Sequence, residues 1–401
     1  MKKISVIGAG FAGLTLSLRL AEQGFAVDLY EKSARLGGLL GTEKNSFGLA
    51  EQAANALIRT ARAEKLFADL QIPAVLPLAE SKKRFIFRGE PKSWPLSFLE
   101  TVCLIFKVAP KFMLNRKALM PLPGQTLKNW GLAHLGKNPT NFLLEPAMQG
   151  IYASESTNLS ASLILGPLFN KNREKYGGLL TGPNGMQDLI DALEKALIAR
   201  GVRIHLNSEA KLSDLQGPVV VSSSASAAAA ITRDLHPALS QTLSRIQMTS
   251  VVSVKMFFDK AQTQFKGFGC LIPRVGTAYK TLGVLMNSYI FGGRDKTYNE
   301  TWILGGSQAD QIIQMSDLEI TALIQSERQE FLKTADTVLH AKIDRWAKAL
   351  PSYDIELEKI LKEIELPTDL YLHGNYLGGL GLSKILERGD RLAQELAGKY
   401  V

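Results

Sequence analysis

The sequence predicts an α/β protein: a Rossmann-like dinucleotide-binding domain, a second domain dominated by β-sheet, and a helical insertion. Three observations carry this expectation. A strand, a glycine loop, a helix and a second strand follow one another over residues 4–31. Strongly alternating apolar strands occupy residues 250–305. Near residue 370 the opening pattern returns, with a short apolar strand, a glycine-rich loop and a helix.

The opening unit is the most explicit. Ile4 to Ile7 is an apolar strand that runs into Gly8-Ala9-Gly10-Phe11-Ala12-Gly13, and a helix-like stretch spans Leu14 to Gly24. Gly8 permits a tight turn, Gly10 lets the backbone approach a diphosphate, and Gly13 lets helix and strand pack closely. The helix N-terminus then faces the negative charge. A second apolar run, Ala26 to Tyr30, ends at Glu31, about where a ribose-binding acid belongs. A tight βα turn without ligand is the competing reading; strand, helix, second strand and terminal acid together favour a dinucleotide. The run from Glu31 and Lys32 to Arg35 then reaches a second pair, Gly37-Gly38. These glycines can bring backbone close to a cofactor, with Arg35 near its phosphates. Glu51 to Asn55 leads into a helix expected over 57–70.

Residues 82–93 read as a β-hairpin, with Gly89-Glu90-Pro91 at the turn. Over 94–120, Leu96, Phe98, Leu99, Val102, Ile105 and Phe106 form a broad apolar face, followed by Lys107, Lys111, Arg116 and Lys117. Such a helix suits a membrane surface with basic anchors, a buried interface, or the wall of a pocket for a large apolar ligand. Residues 126–165 read as helical. Gln187 to Arg200 is an amphipathic helix, and strands are expected at Val202 to Leu206 and Pro218 to Ser222. Ser222 to Ala230 reads as a turn entering a helix. Strands at 251–258, 282–286 and 302–305 build the second domain, and Ser316 to Leu339 reads as a helix. The strand Leu370 to His373, the loop through Gly374-Asn375 and Gly378 to Gly381, and a helix over 382–397 close the chain. The expected domains are 1–75, 176–230 and 345–401 for the dinucleotide, 76–93 and 231–344 for the substrate, and 94–175 for the insertion.

Composition narrows the class. A chain of 401 residues is long enough for two domains, and 46% hydrophobic with 21% charged residues fits a globular protein. The net charge of +9 favours anionic partners such as a membrane surface or an acidic substrate. No helix-turn-helix or zinc pattern favours nucleic acid, and no metal site is expected. Cys103 and Cys270 sit among apolar residues and are expected to pack as small hydrophobes in a reducing compartment. Met1-Lys2-Lys3 and the apolar run beyond read as the first strand rather than a signal peptide. No uncharged apolar run is long enough to span a bilayer.

Several stretches together resemble the flavin-dependent amine oxidase superfamily, and within it the porphyrinogen oxidases of haem synthesis. Gly8 to Gly13 and Glu31 to Gly38 are similar to the opening FAD motif. Gly178 to Leu193 resembles the stretch before the second FAD strand. Trp346 to Tyr353 resembles a tryptophan-to-proline-tyrosine motif, and Gly374 to Leu382 the C-terminal flavin loop. Three segments lean toward porphyrinogen oxidases: Glu145-Pro146 through Gly150-Ile151-Tyr152-Ala153 with Leu159-Ser160 beyond, Gly267 to Arg274 followed by Leu282-Gly283-Val284 and Asn287-Ser288, and the hairpin from Lys82 to Phe87. Ala53 stands where the family usually has glycine, and Lys280 where it has arginine. The chain is also somewhat short for the family, which implies trimmed loops.

The resemblance implies a FAD domain of the glutathione-reductase type and a retained FAD touched by both chain ends. Its contacts are the glycine loops already named, with Gly374, Asn375, Gly379, Gly381 and Leu382 at the far end, joined by Asn55, Ala210 and Trp346. It implies oxidation of protoporphyrinogen IX or coproporphyrinogen III to the porphyrin, with hydride passing to flavin N5. Oxygen or a quinone is the expected acceptor, because no separate nicotinamide site is evident. Arg84 falls at the family's substrate arginine and is a candidate to hold a propionate, an exposed hairpin arginine being the competing reading; Leu282 and Ile303 are candidates to clamp the ring, plain strand core being theirs. No catalytic acid, base or nucleophile is named, since the macrocycle's own nitrogens help drive the oxidation and the five histidines form no constellation. The expected setting is cytoplasmic, with peripheral contact on the inner membrane face and a homodimer compatible. A carotenoid desaturase, an amine oxidase, or a flavin- and porphyrin-binding protein without turnover are the alternatives.

Overall fold

The computed structural model describes residues 2–170, 176–261, 263–275 and 279–401. Residues 171–175 of the expected insertion, and 262 and 276–278 of the expected second domain, lie outside the described residues. The elements that position the site are β1 (Lys3–Ile7), α1 (Phe11–Glu22), β2 (Ala26–Tyr30), α2 (Ala61–Asp69), β3 (Phe85–Phe87), β4 (Pro91–Lys92), α3 (Phe98–Leu114), α4 (Glu145–Tyr152), α5 (Gln187–Ala199), β5 (Arg203–His205), β6 (Val219–Val221), β7 (Met248–Phe258), β8 (Gly269–Leu271), β9 (Thr281–Leu285), β10 (Tyr298–Leu304), α6 (Asp317–Leu332), β11 (Val338–Pro351), β12 (Leu370–Leu372) and α7 (Leu382–Tyr400).

Five short strands form a parallel sheet in the order β12-β6-β1-β2-β5. The central strands are largely apolar because helices and loops cover both faces, whereas the edge strand β5 carries Arg203 and His205. Ile4, Val6 and Val220 pack against Leu14 and Leu18 of α1, Leu189 and Leu193 of α5 and Leu386 of α7. On the opposite face Ile7, Val219, Val221, Leu370 and Leu372 meet Leu127, Trp130, Leu159 and Tyr353. Strands far apart in the chain thus end side by side.

A second sheet runs β11-β7-β10-β9-β8-β3-β4, antiparallel except where β3 joins β8. Alternation sends Val254, Met256 and Trp302 to a rear core with Ile320, Ile324 and Phe331 of α6. The intervening residues, Ser253, Lys255 and Ile303, belong to the other face.

Three expectations change. Leu57–Ile58 is a strand paired with Leu179–Leu180, and the helix begins only at Ala61, where the Thr60 side chain accepts from the Ala63 N–H at 3.2 Å. The helix expected to Leu339 stops at Leu332, where Lys333 turns left-handed at φ +51°, and Val338 opens a 14-residue strand. Cys270 is buried, but Cys103 is exposed on α3, whose outward face none of the described residues covers.

α3 starts in a capping box. Ser97 accepts from the Glu100 N–H, and Glu100 returns to the Ser97 N–H at 2.7 Å. Glu100 also takes two hydrogen bonds from Arg88, at 2.6 and 2.9 Å. Lys107 and Lys111 turn toward the body, to the Leu132 carbonyl at 3.3 Å and the His134 ring at 3.4 Å. The outward face is left to Phe98, Leu99, Ile105, Phe106 and Met113, all exposed. Among the described residues no helix is long and apolar enough to cross a membrane.

Candidate functional site

The site begins where β1 meets α1. Gly8 sits at φ +103°, and a Cβ on Gly13 would lie 1.8 Å from the Gly8 carbonyl oxygen. Strand and helix can approach this closely only with glycine at both positions. α1 starts at Phe11 behind an extended Gly10, with no side-chain cap. The first-turn N–H groups of Phe11, Ala12 and Gly13 are those an uncapped helix offers an anion. Glu31, at the end of β2, accepts from the Ala9 N–H at 2.9 Å and from the Ser33 hydroxyl at 2.8 Å. Lys32 is exposed next to it. The Ser208 N–H donates to the Glu31 carbonyl at 2.9 Å, which brings the segment carrying Ala210 alongside.

The second glycine pair closes on the first. Gly10 bridges Gly37, and a Cβ on Gly38 would stand 3.0 Å from the Gly10 Cα. Arg35 donates to the carbonyls of Leu36, Gly38 and Leu40, so its guanidinium shapes this loop. The third loop arrives beside β6. A Cβ on Gly8 would lie 2.5 Å from the Ser222 carbonyl oxygen, and one on Gly374 would lie 2.9 Å from that of Ser223. Three adjacent parallel strands thus end at one crevice, the position where open α/β sheets bind ligands. Gly381 caps α7 without a side chain, and Leu382 is its first residue. The Ser222 hydroxyl is buried with no partner among the described residues. An uncapped helix, glycine-cleared backbone and an unsatisfied hydroxyl fit a dinucleotide.

On the sheet side, Leu282, Ile303 and Trp346 come together with Ala153, Val251, Ala349 and Leu350 in one apolar cluster. Trp346 Nε1 donates to the Gln52 carbonyl at 3.0 Å, and Lys255 Nζ to the same oxygen at 3.2 Å. The Gln52 N–H donates in turn to the Gly41 carbonyl at 2.8 Å, so two hydrogen bonds join the apolar cluster to the second glycine loop. Lys255 also pairs with Asp344 at 2.7 Å; burial nevertheless pushes its ammonium pKa down. Burial pushes the Glu51 carboxyl up, although Arg294 lies at 2.8 Å. Asn55 donates to Asn287 at 2.7 Å, and Asn287 donates to Asn299 at 2.7 Å and to Thr301 at 2.8 Å. Among the described residues the Asn55 Oδ1 atom remains buried without a partner beside a cavity of about 20 Å³, room for one water.

Arg84 lies apart from this cluster. It is exposed just before β3, with its guanidinium 4.8 Å from the centre of the Phe268 ring. The histidines are dispersed: His205 bonds Asp28 and stacks on Tyr30, His340 stacks on Phe47, and His373 is wholly buried. Among the described residues no His, Cys, Asp and Glu group could hold a metal. Sequence reasoning missed Gln52 and Lys255, which join the two halves, and Asp344, which pairs with Lys255; Asn287, which meets Asn55, lies in a segment that the resemblance had singled out. The one available signal was a lysine within the apolar run Ser253-Val254-Lys255-Met256.

Comparison with known proteins gives a consistent picture. The model of the family described as flavin containing amine oxidoreductase matches residues 11–212. The mitochondrial protoporphyrinogen oxidase of Nicotiana tabacum is 23% identical, over 98% of this chain and 94% of its own length. The coproporphyrinogen III oxidase of Bacillus subtilis is 22% identical, over 97% and 96%. Among solved structures, a candidate protoporphyrinogen oxidase from Exiguobacterium sp. 255-15 superposes with a TM-score of 0.79 at 17% identity, covering 99% of both chains. Cyclohexylamine oxidase from Brevibacterium oxydans does so with a TM-score of 0.74 at 14% identity, also covering 99% of both.

Proposed function

We propose, for a chain that belongs to the flavin-containing amine oxidoreductase family and uses FAD, that it oxidises protoporphyrinogen IX or coproporphyrinogen III to the porphyrin. The observation that carries this reading is the apolar cluster of Leu282, Ile303 and Trp346, tied through Gln52 to the glycine loops. A large apolar ring needs such a wall, with few polar groups to orient it. Full-length relatives named for both porphyrinogens support it.

Bound FAD supplies a two-electron acceptor at N5 for hydride from a bridging carbon, used three times for the six-electron oxidation and emptied to oxygen or a quinone. The chain's own part is placement. Leu282 and Ile303 contact the ring faces and exclude water. Arg84, which has no carboxylate in ion-pair distance among the described residues, takes a propionate by a charge-assisted hydrogen bond. Pyrrole protons pass to solvent, so none of the dispersed histidines is needed as a base. The uncharged outer face of α3 sets the protein peripherally on a membrane surface.

Anaerobic mixing with each porphyrinogen should bleach the flavin absorbance, and re-aeration should yield the red porphyrin fluorescence. Bleaching by amines or phytoene but by neither porphyrinogen would overturn the reading. Tight porphyrin binding without bleaching would show a carrier instead.

A further inference from the structure

We propose that Tyr353 and Arg388 are positioning residues for the cofactor, holding the loop 374–381 in the conformation that faces FAD. The proposal rests on the FAD site and not on the identity of the substrate.

Four of the eight residues in this loop are glycine, with φ of +94° at Gly378 and +154° at Gly379. A glycine-rich segment loses much conformational freedom on ordering, so fixed partners must hold it. The Tyr353 hydroxyl supplies two contacts at once. It donates to the Asn375 carbonyl at 2.5 Å and accepts from the Gly379 N–H at 2.6 Å, bridging both arms of the loop. Arg388 reaches back from α7 and donates to the Gly374 carbonyl at 2.5 Å. Three main-chain groups of the loop therefore end on two side chains.

Tyr353 is itself fixed. It is 1% exposed, its ring packs on Tyr152 at 5.1 Å, and its carbonyl accepts from the Ser160 N–H at 2.8 Å. Tyr152 ends α4, so one tyrosine ties the insertion, the end of β11 and the flavin loop together. Arg388 has no carboxylate in ion-pair distance among the described residues; the neighbouring Glu387 pairs with Lys384 at 2.8 Å. His373, buried next to the loop, does not add to this charge, because burial and Arg388 hold its pKa down to about 3. The guanidinium therefore leaves an uncompensated positive charge under the loop, on the side of the cradle that takes an anionic cofactor.

The test uses Tyr353→Phe, which keeps the ring contact and removes both hydrogen bonds, and Arg388→Met, which keeps the stem and removes the charge. FAD affinity is read by reconstituting apoprotein, alongside apoprotein melting and the flavin midpoint potential. Each variant should weaken FAD binding about tenfold or more while the apoprotein melts as the parent does. Arg388→Met should also lower the midpoint potential, because a cation favours the electron-rich flavin. Unchanged FAD affinity in both variants overturns the proposal, as does apoprotein melting that falls in step with affinity. If Tyr353→Phe yields no folded protein, Arg388→Met decides alone. No substrate enters the measurement, so a failed porphyrinogen assay leaves its outcome intact.

Discussion

Gly10 and Gly13 stand three residues apart and separate the two demands on the opening loop. A Cβ on Gly13 would fall 1.8 Å from a backbone oxygen, a clash no rotamer relieves, whereas one on Gly10 has no neighbour nearer than 3.8 Å. Gly13→Ala should therefore destabilise the fold by about 3 kcal/mol or more and lose flavin with it. Gly10→Ala, at φ −69°, should keep the urea midpoint but weaken FAD binding, because the methyl group occupies the space the diphosphate needs. A Gly10→Ala protein that reconstitutes like the parent would refute that placement. Glycine spacing made this much readable in the sequence, since glycine is required by backbone geometry alone. Lys255 showed only as a lysine within an apolar run and Tyr353 only as the end of a family motif; what they hold, and the inward turn of Lys107 and Lys111, were not readable. Their roles depend on which distant segment covers them, and no local pattern encodes that.

At the scale of elements, β11 shows why the second sheet was only partly legible. Ala341 and Ile343 pack on the rear core, but Lys342 and Asp344 alternate with them and Arg345 follows, so the apolar alternation that reveals β7 is too short to see. α3 was legible as a helix, but its attachment depends on Glu100, which serves the capping box and the Arg88 pair together. The Arg88 hydrogen bonds hold the Glu100 carboxyl down to about 2. A carboxyl lowered on folding stabilises above its unfolded value, near 4.3, and loses that contribution as pH falls through the folded value. The start of α3 should thus stay docked at pH 5 and loosen between about pH 4 and 2. Trp94, whose Nε1 donates to Thr101 on α3 at 2.7 Å, reports it by fluorescence. Glu100→Gln should bring the loosened emission already at pH 7; emission identical to the parent would show that the carboxylate does not hold the helix.

For the molecule as a whole, two forces could bring it to a lipid surface, and they predict different salt dependence. The net charge of +9 would act over distance and be screened, with a Debye length of about 8 Å at physiological ionic strength. The outer face of α3 would act by burial, at about 1.5–3 kcal/mol for each fully buried large apolar side chain. Phe98 at 81%, Phe106 at 76% and Met113 at 81% exposure leave most of that gain unrealised in the free protein. The three charged residues of the helix, Glu100, Lys107 and Lys111, are all engaged by the body. Burial should therefore dominate. Flotation with neutral phosphatidylcholine vesicles should persist in high salt, and Phe98→Ser with Phe106→Ser should abolish it while flavin content stays unchanged. Binding confined to anionic vesicles and lost in high salt would make the net charge the cause. No binding to either vesicle would leave the face to a protein partner.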